Sequence, residues 1–236
     1  MRRVYLEDRM NHFASLMSFL RDRKTFLTEV EKKIGLDSKI VSLLVCSASF
    51  IALYGLVIGA SSHWLQAISS AIKLPGLYLI TLLVCLPSLY IFEVVTGSQR
   101  NFRQYLVLLL ATTSVISVML LAFVPVVLFF LLSVNDYEFF KLLNVVIFAL
   151  TGVIGIQFFY QSMKLLHSHS QDTDKSRNLK VVQAWLFLYG FVGSQLGWSL
   201  RPFFGTPGKD FALFRPLESN FYVHIWKTLT HALGLS

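Results

Sequence analysis

The sequence is poor in charged residues. Only 14% of its 236 residues are Asp, Glu, Lys or Arg, whereas 55% are hydrophobic, and the mean hydropathy is +0.61. Soluble domains usually carry about 25% charged residues, so this composition excludes an ordinary soluble domain and a disordered chain. Its two cysteines are too few for a secreted disulfide scaffold. The composition therefore predicts an integral membrane protein, in which the net charge of +8 reflects topology rather than nucleic-acid binding.

Five apolar windows are long enough to cross a membrane, which takes about 20 residues for a helix. They cover residues 40–60, 74–96, 105–134, 139–163 and 181–200. None alternates like the strands of a membrane barrel, so we expect an all-α, polytopic transmembrane helical bundle with five spans. Pro87 and Pro125 predict bends in the second and third spans.

The division of basic residues predicts the orientation of these spans. Fifteen Lys and Arg residues lie before the first span and in segments 97–104 and 164–180, whereas six lie in the other connections and the tail. Because Lys and Arg favour the cytoplasmic side, we expect a cytoplasmic N-terminus and an extracytoplasmic C-terminus. No signal-peptide pattern precedes residue 40, so the first span is expected to act as an uncleaved anchor.

Segments 1–39 and 201–236 flank the transmembrane domain at 40–200. The N-terminal segment predicts an amphipathic helix with apolar residues at three- and four-residue steps: Met10, Phe13, Met17, Leu20, Leu27 and Ile34. Such a helix could lie on the inner leaflet, the reading we favour, or form a coiled-coil seam between protomers.

The tail is rich in Pro, Gly and aromatic residues, which predict turns that fold back on the bundle mouth. A helix is expected from Phe221 to about Leu233, capped by Ser219 or Asn220 and lying at the membrane interface. An outer structural cap and a ligand-binding lid are the alternatives. The candidate interaction residues of the tail are Arg201, Phe203, Phe204, Arg215 and Trp226.

The spans contain few groups that could perform chemistry. Glu93 is the one clear carboxylate in an apolar run, and such a residue is a functional candidate because its burial is costly. It could anchor the end of span two through headgroup water, Arg100 or Arg103, or it could line a transport path. The other candidate polar residues are Asn144, Gln157, Gln183 and Gln195. We expect no catalytic, cofactor-binding or metal site, because His167 and His169 lack further ligands.

Glycines spaced one helical turn apart predict close helix packing. Gly55 and Gly59 form one such pair and Gly193 and Gly197 another, with Gly152 and Gly155 similarly placed in span four. Small residues at this spacing let helix backbones approach each other.

The spans together resemble a known family. The stretches Leu74-Pro75-Gly76 and Leu86-Pro87-Ser88-Leu89-Tyr90-Ile91-Phe92, with five spans and a short outward tail, are similar to Yip1-like integral membrane proteins of bacteria. The resemblance covers residues 40–200 and implies a scaffold or trafficking-type adaptor without catalysis. We therefore expect a non-enzymatic assembly or interaction subunit of a bacterial inner membrane, partnered by the lipid bilayer and by other membrane subunits or further copies. A small transporter or channel is the alternative.

The predicted topology can be tested with single cysteines in a variant that lacks Cys46 and Cys85. An impermeant thiol reagent applied to intact cells is expected to label residue 208 and leave residue 171 unlabelled, because only the tail should face outward. Labelling at 171 with protection at 208 would reverse the assignment.

Overall fold

The structure, a computed structural model, describes residues 12–134, 136–169, 175–204 and 213–214, and its regular elements there are all α-helices. Their bounds are α1 His12–Arg21, α2 Arg23–Glu31, α3 Leu36–Gly59, α4 Trp64–Val95, α5 Phe102–Ser133, α6 Tyr137–His169 and α7 Lys175–Ser199. The five long helices run alternately in opposite directions because short connections join them. We call the end of the bundle beside α1 and α2 the short-helix end, and the end beside residues 201–204 the tail end.

The long helices form a ring. Helix α3 packs most extensively against α4 and α5, α5 continues to α6, and α4 continues to α7. Helices α6 and α7 close the ring along its least extensive contact. Two apolar clusters fill the interior, one towards each end, and Leu43 and Ile51 of α3 are fully buried in one cluster each.

Four helices in the described part of the chain are long and apolar enough to cross a membrane: α3, α4, α5 and the Phe139–His167 part of α6. They confirm the prediction of a helical membrane protein. Helix α7 occupies the position of the predicted fifth span, but it is less hydropathic than these four because Gln183, Gln195 and other polar residues interrupt it. The fifth span therefore stays a prediction.

Helix α4 begins at Trp64, ten residues before the predicted start of the second span at residue 74. Its first three turns contain Gln66, Ser70 and Lys73, which are polar yet buried. Their polar side chains lower the local hydropathy, which indicates a loop, whereas in the bundle these side chains face other parts of the protein. The helix continues through Pro75 and Pro87, as α5 does through Pro125.

The predicted single N-terminal helix is interrupted at Asp22, whose carboxylate accepts hydrogen bonds from the N–H of Thr25 at 3.1 Å and its hydroxyl at 2.6 Å. These hydrogen bonds lower the pKa of Asp22 and start α2 as a new helix. The buried face consists of Leu16, Phe19, Phe26, Leu27 and Val30. Of the predicted apolar face, Leu27 packs inward while Phe13, Met17, Leu20 and Ile34 are exposed, so its contact with the inner leaflet or with another protomer stays a prediction. Met10 lies outside the described residues.

Helix α2 is attached to the bundle by polar contacts as well as by this apolar face. The Arg23 guanidinium donates to the Phe158 carbonyl at 3.0 Å and the Ser162 hydroxyl at 2.8 Å, and it lies 4.2 Å from the Phe158 ring centroid. At its other end, the Gln104 amide donates to the Val30 carbonyl at 2.8 Å. Both ends of α2 are therefore fixed to long helices.

The predicted close approach at Gly55 and Gly59 occurs between α3 and α4. A Cβ atom at Gly55 would lie 2.5 Å from the Ser70 carbonyl oxygen, and one at Gly59 would lie 2.5 Å from that of Gln66. These are backbone atoms of a packed helix, so they cannot move aside at low cost. The two glycines set the distance between the helices.

Alanine at Gly59 should therefore destabilise the protein. Forcing the helices apart is expected to cost about 1–3 kcal/mol, more than the roughly 1 kcal/mol that the higher helix propensity of alanine contributes. Thermal unfolding in mild detergent, followed by circular dichroism, measures the difference. Gly76→Ala is the matched control, because a Cβ atom there meets nothing within 4 Å. Equal melting temperatures for Gly59→Ala and Gly76→Ala would contradict the packing argument.

Candidate functional site

A buried acid–histidine pair lies near the short-helix end. Glu93 is in the last turn of α4 and His167 is in the last turn of α6, and Nε2 of His167 is 3.1 Å from Oε2 of Glu93. The two side chains are 0% and 2% exposed. They connect two helices across the ring in a region closed to solvent.

A tyrosine and a serine extend the pair into a short network. The Tyr105 hydroxyl donates to Oε2 of Glu93 at 3.0 Å, and it lies 2.6 Å from the hydroxyl of Ser98. The Arg100 guanidinium caps the end of α6 by donating to the Leu166 carbonyl at 2.7 Å. Oε1 of Glu93 and Nδ1 of His167 have no hydrogen-bond partner within the described structure. The network therefore joins α4, α5 and α6 and retains capacity for one more hydrogen bond on each member of the pair.

The expectation that Glu93 reaches Arg100, Arg103 or headgroup water is wrong. Arg103 instead pairs with Asp37 at 3.1 Å, and both of those side chains are well exposed. Glu93 lies on the inward side of α4, where Tyr105 and His167 are its partners. The order of charged residues along the chain cannot reveal the contact between Glu93 and His167, because the rotation of a helix decides which neighbouring residues a side chain meets.

The structure places His167 inside α6, not in the loop that the sequence predicted, and uses it for the contact with Glu93. The side chain of His169 lies outside the described residues. Among the residues that are described, no group of three or more His, Cys, Asp or Glu side chains could hold a metal ion. Cys46 and Cys85 are buried and unpaired with each other.

Asn144 lies near the opposite end of α6. Its side-chain carbonyl accepts a hydrogen bond from the Tyr54 hydroxyl at 2.7 Å, and its amide donates to the Phe140 carbonyl at 2.8 Å. Asn144 therefore joins α6 to α3 near the tail end, and Glu93 is not part of this contact.

The three predicted glutamines are not brought together with either pair. Gln157 is exposed on α6. Gln183 is exposed on α7 and donates to the Tyr160 hydroxyl at 3.4 Å. Gln195 is half-buried on the same helix, and its backbone carbonyl accepts a hydrogen bond from the Ser199 hydroxyl at 3.0 Å. The candidate polar residues therefore occupy separate places.

The described part of the tail lies against the beginning of α4. The Gln66 amide donates to the Pro202 carbonyl at 2.9 Å, and the Ser70 hydroxyl donates to the Phe203 carbonyl. The Phe204 ring packs against Phe140 of α6 at 6.5 Å between centroids. Further along, Lys73 donates to the Leu213 carbonyl and lies 4.6 Å from the Phe214 ring centroid. Arg215, Trp226 and the predicted helix from Phe221 lie outside the described residues.

An apolar crevice opens between α6 and α7. Its inner part, about 610 Å³, is lined by side chains of α4 and α5 as well as these two helices. Its second part, about 580 Å³, continues to the tail end, where Lys141 and Arg201 line it. Leu77, Tyr78, Phe148 and Ser194 line both parts. The two parts therefore adjoin each other, and we call them together the α6–α7 crevice.

Several residues of these sites carry little sequence signal. Tyr54 and Tyr105 look like ordinary apolar residues of a span, although a buried tyrosine hydroxyl usually has a partner. Gln66 and Ser70 lie between the first two apolar windows, where hydropathy indicates a loop. The period of three to four residues that links Gln66, Ser70 and Lys73 on one face of a helix could have identified them.

Comparison with known proteins identified no relative: no protein-family model matches the chain, nor does any curated protein or solved structure.

Removing one member of the buried pair should destabilise the bundle. We expect Glu93→Gln and His167→Gln each to cost about 3 kcal/mol, because the remaining member stays buried without its partner. In the double variant the loss should be smaller than the sum by more than about 1 kcal/mol. Unfolding by sodium dodecyl sulfate in mixed micelles measures these free energies.

Asp37→Asn is the matched control, because it removes a carboxylate from an exposed pair and should cost less than about 1 kcal/mol. If Glu93→Gln costs no more than this control, the pair does not stabilise the bundle.

Proposed function

We propose that this protein is a non-enzymatic, multi-pass membrane protein that acts as a scaffold, assembly or interaction subunit. The supporting observation is that the two buried candidate residues of the spans, Glu93 and Asn144, each hydrogen-bond to side chains of other helices. Glu93 faces His167 and Tyr105, and Asn144 faces Tyr54. Hydrogen bonds of this kind between side chains of different helices hold the helices together.

The distance between the polar pairs favours a scaffold over a transport path. Asn144 and His167 are 23 residues apart on α6, or about 35 Å at 1.5 Å per residue. Between them, α6 buries the apolar residues Ile147, Phe159 and Met163. The buried hydroxyl of Thr151 donates to the Ile147 carbonyl at 2.9 Å, so the helix itself uses it. Ions or polar substrates would need a more continuous series of polar groups.

The short-helix end supplies a surface for a partner. Because contacts from Arg23 and Gln104 fix α2 to the bundle, the exposed side chains of α1 and α2 are held in place. These include the apolar residues Phe13, Met17 and Leu20 and the basic residues Arg21 and Lys24, and the exposed Lys32 and Lys33 follow directly after α2. An apolar patch bordered by basic residues is typical of a surface that binds another protein or an anionic membrane.

The setting of this function is a bacterial inner membrane, with the N-terminus in the cytoplasm and the tail outside. The proposal follows from the 15-to-6 division of Lys and Arg and from the resemblance to Yip1-like proteins. In this orientation the short-helix end and its basic residues face the cytoplasm.

A small transporter or channel is the second candidate function. The observation that favours it is the burial of an ionisable pair at the end of two long apolar helices, since ionisable residues within membranes often mark transport paths.

A photo-crosslinking amino acid placed at Met17 tests the scaffold proposal. On illumination of living cells, the variant is expected to form a discrete adduct with a protein, either a second copy or another membrane subunit. The same amino acid at Leu132, which is 83% exposed on α5, is the control and should react only with lipid.

Flux into proteoliposomes decides between the scaffold and the second candidate. The wild-type protein is expected to pass no more protons or cations than empty vesicles do. Flux above that level that disappears in Glu93→Gln, with both proteins monodisperse and at equal density, would refute the scaffold proposal. Equal adduct formation at Met17 and Leu132 would also count against it.

A further inference from the structure

The α6–α7 crevice has the shape of a site for a chain-like apolar molecule. The crevice runs along α7 from Trp185, which lines its inner part, to Arg201, which lies just beyond the helix at the tail end. These residues are 16 positions apart, or about 24 Å at 1.5 Å per residue. One leaflet of a bilayer, with its headgroups, is about 20 Å thick. The crevice is therefore about as long as one lipid molecule.

Glycines create this space. A Cβ atom at Gly152 of α6 or at Gly190 of α7 would meet no other atom within 4 Å, and both residues line the inner part. Ala149, Ile156 and Gly190 line it as well and are exposed. The crevice therefore opens directly towards lipid, through the least extensive contact of the ring.

The tail end of the crevice is positively charged. Arg201 and Lys141 line it, and no acidic side chain does so among the residues that the structure describes. The Arg201 guanidinium lies 3.5 Å from the Trp198 ring centroid, and Tyr137 is close by in the same lining. Asp136 and Lys141 also line a neighbouring depression, whereas Arg201 lines only the crevice.

These features match the parts of an anionic phospholipid. Tryptophan and tyrosine favour the headgroup zone, and arginine binds phosphate with two parallel, charge-assisted hydrogen bonds. Basic pockets between transmembrane helices bind anionic headgroups in the same way. We propose that the α6–α7 crevice binds one anionic phospholipid, with one acyl chain between α6 and α7 and the phosphate beside Arg201. This site is separate from the partner surface on α1 and α2, so either proposal can fail without the other.

Native mass spectrometry of the delipidated full chain in mild detergent tests the site. The probes are phosphatidylglycerol and phosphatidylcholine with identical acyl chains. We expect the wild-type protein to retain one phosphatidylglycerol with an apparent Kd about tenfold lower than for phosphatidylcholine, because an arginine–phosphate contact next to other cations favours the net negative lipid.

Two variants separate the binding of the chain from the binding of the headgroup. Gly190→Leu fills the crevice and should weaken binding of both lipids about tenfold. Arg201→Gln should abolish the preference for phosphatidylglycerol while leaving phosphatidylcholine binding unchanged, and Arg201→Lys should restore part of the preference. Gly76→Leu is the matched control, since Gly76 also has open space around it and does not line the crevice. Gly152→Leu replaces Gly190→Leu if that variant is not monodisperse.

Three outcomes would overturn the proposal. Unchanged lipid binding in Gly190→Leu and in Gly152→Leu would place the bound lipid elsewhere on the protein. A preference that survives Arg201→Gln would remove the assigned headgroup contact. A wild-type mass of two copies that retains no lipid and becomes one copy in Gly190→Leu would show that a second chain, and not a lipid, occupies the crevice.

Discussion

The contact of α3 with α4 at Gly55 and Gly59 is the constraint from which much of the arrangement follows. With no side chain at either glycine, the two backbones come close enough for the carbonyls of Gln66 and Ser70 to face α3. The same two residues of α4 direct their side chains to the tail carbonyls of Pro202 and Phe203. One close helix contact therefore also determines where the tail lies. In lipid this contact depends on packing, because apolar side chains gain little by leaving one hydrocarbon environment for another.

The cost of burying polar groups explains how the polar residues are arranged. An unpaired polar group in hydrocarbon costs several kcal/mol, so buried polar residues find partners on a neighbouring helix or on their own. Glu93 meets His167 and Tyr105, Trp185 donates to the Cys85 carbonyl at 3.0 Å, and the Ser47 hydroxyl donates to the Leu43 carbonyl at 2.6 Å. The pairs that join two helices, such as those of Glu93 and Trp185, fix the rotation of these helices about their axes. They also leave few polar groups available for a path across the membrane.

The helices of the ring do not pack equally closely at every contact. Between α3 and α4 the glycines bring backbones together, whereas Gly152 and Gly190 face open space between α6 and α7. The same residue type therefore has opposite effects on the two sides of the bundle. A glycine opposite a backbone permits contact, and a glycine opposite nothing leaves a volume that a ligand can fill. The α6–α7 crevice and the basic surface of α1 and α2 lie in different parts of the molecule, so the proposed lipid site and the proposed partner surface do not overlap.

Hydropathy and spacing alone determined that this is a helical membrane protein, located α3, α5 and α6 to within a few residues, and identified both the Gly55 and Gly59 contact and Glu93 as an unusual carboxylate. They could not identify the partner of Glu93, which is 74 residues away in the chain, or the partner of Asn144, which is 90 residues away. Nor could they identify the buried start of α4 or the second, inward-packing apolar face of α1 and α2. Hydropathy reports how apolar a segment is along the chain, and spacing reports which residues share a face. Which helix that face meets depends on the rotation and order of the helices around the ring, and only the tertiary structure decides those.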